Sequence, residues 1–353
     1  FQARQRYLSI VYQISLTPFS PQKTHIHFIG IGGIGMSALA LIFIKRGFSV
    51  SGSDQKVSHS LQNLVSKGIR IFKSQIAGNI DTICSFKQMT PIVIVSTAIS
   101  LTNPELKAAK NAQLEILHRS DLLAYLINNQ PSIVIGGSHG KTTTSTMITT
   151  LLAHNKQDPT AIIGGIVPYY KSNGHAGKGS LLVAEADESD GTIIKFKADL
   201  AVITNLELDH TNHYENLKSL VKTIKKFSKN SKQLLANYDC PTIRENIRPS
   251  FWWSIKNKDV DFSAIPISIN GEETIANFYE KGQEVGQIRL PVPGLHNLSN
   301  AIGAISACRL AGISFIKLKE IIHKLESPNR RFQFRGNWND RQIVDDYAHH
   351  PTE

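Results

Sequence analysis

Twice in this chain a short apolar run breaks into a glycine-rich turn and then into a helix-like stretch, the two occurrences lying about a hundred residues apart. The first is His25 to Ile29, followed by Gly30-Ile-Gly-Gly-Ile-Gly35 and the apolar segment Met36 to Arg46. The second is Ser132 to Ile135, followed by Gly136-Gly-Ser-His-Gly-Lys-Thr-Thr143 and a threonine-rich segment. A strand that feeds a helix through glycines opens a βα unit and brings backbone amides to the positive end of a helix, where anions bind. Two such openings predict two α/β units, each handling a phosphorylated ligand. The length of 353 residues agrees, because about 150 residues per domain gives two to three domains.

Further strand-like runs fall at Phe48 to Ser51, Ile92 to Val95, Leu181 to Ala184 and Leu200 to Thr204. Ile92 to Val95 is a continuous β-branched run of the kind buried in parallel sheets. Ile288 to Pro293 reads as a strand entering Gly294, with an alanine-rich helix from Asn297 to Leu310. The pattern restarts at Asn128-Asn-Gln-Pro131 and breaks again at Ser327-Pro-Asn-Arg-Arg331. The expected fold class is α/β: a Rossmann-like domain over 23–127, then a P-loop-type domain over 128–328. Residues 1–22 read as a disordered extension, and 329–353 as a linker and the first residues of a third domain that is nearly absent.

The net charge is +11, which allows an anionic partner. The one basic cluster, Lys222, Lys225, Lys226, Lys229 and Lys232, has helical spacing and reads as a solvated face. It lacks the interleaved aromatics on which bases stack, so nucleic acid is not expected. Apolar runs such as Leu39 to Ile44 are far shorter than the ~20 residues of a membrane span, so no membrane insertion is expected. Cys84, Cys240 and Cys308 form no C-x-x-C pair, which fits neither a disulfide framework nor a zinc site and points to a reducing cytosol.

The first turn fits G-x-G-x-x-G as Gly30, Gly32 and Gly35, and Asp54 follows the next strand where a ribose-binding acid belongs. Alone it indicates a dinucleotide such as NAD, or a tight turn with no ligand. In the second turn Lys141 can reach β- and γ-phosphates and the Thr142 hydroxyl can coordinate Mg²⁺. This loop is one residue short of G-x-x-x-x-G-K-T, which argues against an ordinary GTPase or motor ATPase. Glu185-Ala-Asp-Glu-Ser-Asp190 follows a strand; metal duty is expected of Glu185 alone, with some of the acids as helix caps or turn residues. His210, in Asn205-Leu-Glu-Leu-Asp-His210, is a candidate metal or substrate ligand. Gly294 to Asn300 and Arg330-Arg-Phe332 read, by themselves, as a helix cap and a solvated linker, or as polar groups that meet a purine edge with an Arg that holds phosphate.

Taken in order, these motifs resemble one family, the ATP-dependent Mur ligases of peptidoglycan synthesis. Ser96-Thr-Ala-Ile99, Asn103-Pro-Glu105, Arg330-Arg-Phe-Gln333 and Asp345-Asp-Tyr-Ala-His-His-Pro351 join the resemblance, which runs from about residue 23 to the end. It implies a UDP-binding domain, an ATPase domain and an amino-acid-binding domain. Within the family the motifs are similar to those of the members that join L-alanine to the carboxylate of UDP-N-acetylmuramate, in the bacterial cytoplasm, with ATP and Mg²⁺.

By that resemblance Gly30, Gly32, Gly33, Gly35, Met36, Asp54, Ser96, Thr97 and Arg119 contact the UDP substrate. Gly137, Ser138, His139, Gly140, Lys141, Thr142, Thr143, His296, Asn297, Asn300 and Arg331 contact ATP. Lys141, Glu185 and His210 are the implied catalytic residues, and Thr142, Glu185 and His210 the implied metal ligands. The chain departs from the family at Ser138 (usually Thr), Asn212 (usually an acid) and Ser74-Gln75 (usually Gly-His). It also ends two residues after the motif that opens the third domain, so a fragment, inactive alone, is expected. The competing readings are an NAD-dependent oxidoreductase, a non-catalytic nucleotide-binding fragment, and a sibling ligase acting on a recycled peptide.

Overall fold

The computed structural model describes residues 19–348, apart from 57, 58, 87, 210–212, 327, 329–332 and 347. Most of the expected extension and the break around Arg330 thus lie outside the described residues. The N-terminal sheet comprises β1 (Thr24–Ile29), β2 (Ser49–Ser53), β3 (Arg70–Phe72), β4 (Thr90–Val95) and β5 (Glu115–His118). Their spatial order is β3-β2-β1-β4-β5, all parallel. The crossovers carry α1 (Ile34–Lys45), α2 (His59–Ser66), α3 (Ala77–Cys84) and α4 (Pro104–Asn111), and α5 (Arg119–Asn128) follows β5. Strand order reverses at β1, so its C-terminal end, Gly30, opens into the crevice where such sheets bind ligands.

The second sheet contains β6 (Ser132–Gly136), β7 (Thr160–Val167), β8 (Ser172–His175), β9 (Leu182–Glu185), β10 (Leu200–Ile203), β11 (Gln233–Asn237), β12 (Phe251–Ser254), β13 (Phe262–Ile269), β14 (Thr274–Glu280) and β15 (Gln283–Leu290). Its order is β15-β14-β13-β12-β11-β10-β6-β9-β7-β8. Five helices accompany it: α6 (Lys141–His154), α7 (Leu217–Asn230), α8 (Pro241–Asn246), α9 (Leu295–Leu310) and α10 (Phe315–Ile321). Strands β13 through β7 run parallel, with β6 flanked by β10 and β9. A separate hairpin, β16 (Gln333–Trp338) and β17 (Arg341–Asp345), follows.

Two parts of this sheet differ from the sequence reading. The strand expected at Ile288 to Pro293 is the end of β15, which runs antiparallel in a β13–β14–β15 meander. Lys281 and Gly282, both at positive φ, make the tight reversal between β14 and β15, so no crossover helix intervenes. The β7–β8 hairpin is likewise antiparallel. The lysine cluster behaves as expected on α7: Leu220, Val221, Ile224 and Phe227 are buried while Lys222, Lys225, Lys226 and Lys229 are exposed. Lys232 lies beyond that helix and pairs with Asp199 at 2.6 Å.

Contacts between the sheets fix their glycine turns relative to each other. Asn173 donates to Ile34 O at 2.5 Å, and a Cβ on Gly174 would lie 2.7 Å from the Ala38 backbone. Lys195 pairs with Asp121 at 2.6 Å. Among the described residues no helix is long and apolar enough to cross a membrane.

A buried polar network runs through the first sheet. His25 bonds Ser49 and Ser51, and His27 bonds Ser51 and Glu105, each within 2.9 Å. Glu105, fully buried, also accepts from Ser53 (2.5 Å) and Asn79 (2.8 Å). Asn79 donates in turn to Ser74 O (2.7 Å), and Asn103, the cap of α4, donates to Gln75 at 2.7 Å. The start of α4 therefore ties down the loop that overlies Gly30. Glu105→Ala strands several buried donors, each costing about 1–3 kcal/mol. Urea unfolding is expected to show a loss of about 3 kcal/mol or more; a loss under about 1 kcal/mol would contradict the network's role.

Candidate active site at the two glycine turns

The second turn is built from β6 outward and clamped by the segment after β10. Ser138 N donates to Asn205 O (3.0 Å) and Ser138 Oγ to Glu207 O (2.8 Å), while His139 N donates to Asn205 Oδ1 (2.8 Å). Thr204 Oγ1 and Asn205 Nδ2 both donate to His139 O, at 2.6 and 3.0 Å. Gly140 then enters α6 at φ +78°, a conformation that costs other residues about 1–2 kcal/mol. A Cβ there would also strike Asn300, 2.5 Å away. Asn300 accepts from Thr144 Oγ1 at 3.3 Å, so the start of α9 packs directly on the turn. Sequence reading found Asn205 as a neighbour of His210 but missed its work as the loop's clamp.

Lys141 and Thr142 open α6. The Lys141 ammonium donates to Gly137 O (2.6 Å), Ser138 O (3.0 Å) and Glu188 Oε1 (3.0 Å). Burial alone would lower its pKa, but Glu188 and Glu185 outweigh that and raise it, so the ammonium stays charged. Thr142 Oγ1 lies 3.0 Å from both carboxylate oxygens of Glu185, whose Oε2 also accepts from Gly164 N at 2.8 Å. A hydroxyl beside a carboxylate at a phosphate-binding turn is a hard-oxygen set that suits Mg²⁺, which keeps most of its ligands as water and phosphate. Among the described residues no group of three or more His, Cys, Asp and Glu side chains gathers into a metal cage.

The four acids of the turn divide their work. Asp187 accepts from Ser189 N (3.0 Å) and Asp190 from Thr192 N (3.0 Å), as the expected turn residues. Glu188 is neither cap nor turn acid: it is the carboxylate paired with Lys141, and burial pushes its pKa up to about 7 despite that cation.

At the first turn Asp54 Oδ2 accepts from Gly32 N at 2.8 Å, so the expected ribose acid is hydrogen-bonded to the turn itself. Gly33 caps α1 without a side-chain partner. Met36 is buried in the core, 2% exposed, with its side chain against Gly33. Ser96 and Thr97 lie in the turn after β4, where Ile99 N donates to Ser96 O (3.1 Å), and Ile99 and Gln75 sit over Gly30. Arg119 stands between the two turns. Its guanidinium would be 3.3 Å from a Cβ on Gly35, and it reaches Asp187 (3.3 Å) and Asp190 (3.9 Å) on the second sheet.

Around α9, Asn297 is buried and donates to Pro293 O at 2.7 Å, whereas His296 is exposed. Thr143 is buried at the first turn of α6. His210 and Arg331 lie outside the described residues.

A parallel sheet with a glycine turn at its reversal, joined to a second sheet with a lysine–threonine glycine turn, a facing carboxylate and a bridging arginine, is the build of a nucleotide-handling α/β enzyme. The comparisons with known proteins agree. Residues 25–131 match the Mur ligase family, catalytic domain, and residues 135–308 the Mur ligase middle domain. The chain is 61% identical over 339 residues to a UDP-N-acetylmuramate–L-alanine ligase of Prochlorococcus marinus (strain MIT 9303), covering 96% of this chain and 70% of the relative. A Synechococcus sp. (strain CC9311) protein of the same name is 57% identical over 334 residues, with 94% and 69% covered. The structure of UDP-N-acetylmuramate–alanine ligase from Thermotoga maritima superposes with a TM-score of 0.80 at 28% identity, covering 93% of this chain and 75% of that one. The chain belongs to the Mur ligase family.

His118, which caps α5 beside Arg119, supplies a pH test. Burial lowers its pKa to about 4; Asp190 opposes that shift, and Arg119 adds to it. The unfolded chain takes up this proton near 6.5, the folded one only near 4. Stability present above pH 6.5 is therefore lost as the pH falls through that window. Urea unfolding at pH 7 and 4.5 is expected to show a steeper acid loss in the wild type than in His118→Gln; equal slopes would contradict it.

Proposed function

We propose that this chain carries the two nucleotide sites of an ATP-dependent ligase that joins L-alanine to the carboxylate of UDP-N-acetylmuramate. The observation that carries the reading is one glycine turn opening into Lys141 and Thr142, with Thr142 against Glu185 at the end of β9 and Lys141 paired to Glu188 beside it. The shared name of the relatives, 61% identical at 96% coverage of this chain, supplies the substrates. In this reading the first turn, with Gly30, Gly32, Gly33, Gly35, Asp54, Ser96, Thr97 and Arg119, receives the UDP-sugar. The second turn, Gly137 to Thr143, receives the phosphates of ATP, and His296, Asn297 and Asn300 lie on its adenine side. The domains proposed for these two roles span 23–127 and 128–328. Such soluble nucleotide substrates suit the bacterial cytoplasm.

The reaction is carboxyl activation. An oxygen of the muramate carboxylate attacks the γ-phosphorus of ATP, the bond to the β,γ-bridging oxygen breaks, and acyl phosphate and ADP result. The L-alanine amine attacks the acyl carbon, loses a proton, and inorganic phosphate leaves with the C–O bond electrons. Arg119, between the turns, orients the anionic substrate towards the phosphate. Lys141 donates hydrogen bonds to the oxygens on which charge accumulates. Thr142 and Glu185 would hold one Mg²⁺, with His210 a proposed ligand of a second; when bound, such ions neutralise phosphate charge.

Most of the rate gain then comes from placement and fixed charge. Lys141→Ala is expected to cost about 2.7–4 kcal/mol in kcat, or a hundred- to thousandfold, as loss of one preorganised donor does elsewhere. ADP release dependent on UDP-N-acetylmuramate and L-alanine, in an enzyme that also carries the amino-acid-binding domain, measures it. Near-wild-type turnover in that variant would refute the assignment. ADP release that needs neither co-substrate would refute the ligase reading.

A further inference from the structure

The Lys141 ammonium has three N–H donors, and each has an acceptor: Gly137 O, Ser138 O and Glu188 Oε1. A phosphate oxygen can therefore join Lys141 only by exchange with one of the three. The two carbonyls belong to the turn, whose position is set by the bonds of Ser138 to Asn205 and Glu207. Glu188 reaches in from a different element, and it alone of the three is an anion.

The backbone around Glu188 is tied down. Tyr214 Oη donates to Glu188 O at 2.6 Å and Gly191 N donates to it at 2.9 Å. Asp187 and Asp190 are held by their own turn amides and by Arg119. What can yield is the Glu188 side chain. Its pair with Lys141 is deeply enclosed, with the side chains 1% and 13% exposed. Two anions on one poorly solvated ammonium repel strongly, so a phosphate arriving there drives the carboxylate off. The upward shift of the Glu188 pKa to about 7 shows how weakly the site solvates that charge.

We propose that Glu188 is a positioning residue of the nucleotide site: its carboxylate holds the Lys141 ammonium against the turn, and the terminal phosphate of ATP takes its place. This rests on the reading of the second turn as an ATP site. Glu188 thereby sets a threshold: a nucleotide must supply enough terminal charge to displace it, which favours ATP over ADP.

Calorimetric titration of this chain with Mg·ATP and with Mg·ADP tests it, using wild type, Glu188→Gln, Lys141→Ala and the double variant. Removing the competing charge raises the fraction of Lys141 ready for phosphate, and the apparent Kd falls in proportion. Glu188→Gln is expected to bind Mg·ATP about tenfold tighter, with Mg·ADP changed less than about twofold. In the Lys141→Ala background the same change is expected to have no effect. Weaker ATP binding in Glu188→Gln, equal shifts for both nucleotides, or a gain that persists without Lys141 would each overturn the proposal.

Should the Gln variant fail to fold, Glu188→Asp serves in its place. Its shorter carboxylate keeps the charge but reaches Lys141 less well, and a smaller tightening of ATP alone is expected. An unchanged or weaker ATP affinity there would overturn the proposal. If the wild type binds no Mg·ATP, the ATP reading falls and the proposal with it. If it binds Mg·ATP normally and Glu188→Gln matches it, only the proposal falls.

Discussion

Four carboxylates crowd into the six residues Glu185 to Asp190, and like charges so close repel one another unless cations and amide donors reach them from outside the turn. The cations come from two directions. Lys141 arrives from the phosphate turn of the second sheet and Arg119 from the start of α5 on the first. Neutralising one short acidic segment thus requires that both sheets be folded and correctly apposed. The same requirement brings the two glycine turns, one from each sheet, to either side of a single arginine. Chemistry that moves phosphate from one bound nucleotide to a carboxylate on another needs that apposition, because reacting atoms must meet within a few ångströms.

The residues proposed for this chemistry sit where parallel sheets place ligands, at the C-terminal ends of strands beside a reversal of strand order. Gly30 ends β1 between β2 and β4, and Gly136 ends β6 between β10 and β9. Everything else around the turns is support. Asn205 and Thr204 fix the carbonyl of His139, Asn300 packs against Gly140, and Asn103 at the cap of α4 holds Gln75 over Gly30. These contacts hold side chains and loop at close tolerances, which is what preorganised electrostatic catalysis requires.

Much of this was legible in the sequence because its signals are local. Glycine turns between an apolar run and a helix announce themselves, and the motif order carried the family. The acid turn was legible as a cluster but not in its division of labour. Glu185, Asp187, Glu188 and Asp190 share one chemistry, and only the fold decides which carboxylate meets Lys141. The Glu105 network escaped for a related reason: His27 and Glu105 lie 78 positions apart, with nothing in either neighbourhood naming the other. β8, Ser172-Asn-Gly-His175, has little intrinsic strand preference and forms because it pairs with β7 and packs on α1. Met36, which the resemblance assigns to the UDP substrate, is buried with its side chain against Gly33.

The central claim is that the two glycine turns receive two different nucleotides. Calorimetric titration with UDP-N-acetylmuramate, Mg·ATP and NAD, separately and then in sequence, addresses it most directly. The account predicts one equivalent of the UDP-sugar and one of Mg·ATP, neither displacing the other, and no binding of NAD. Mutual displacement of UDP-sugar and ATP, or NAD binding in place of the UDP-sugar, would contradict it.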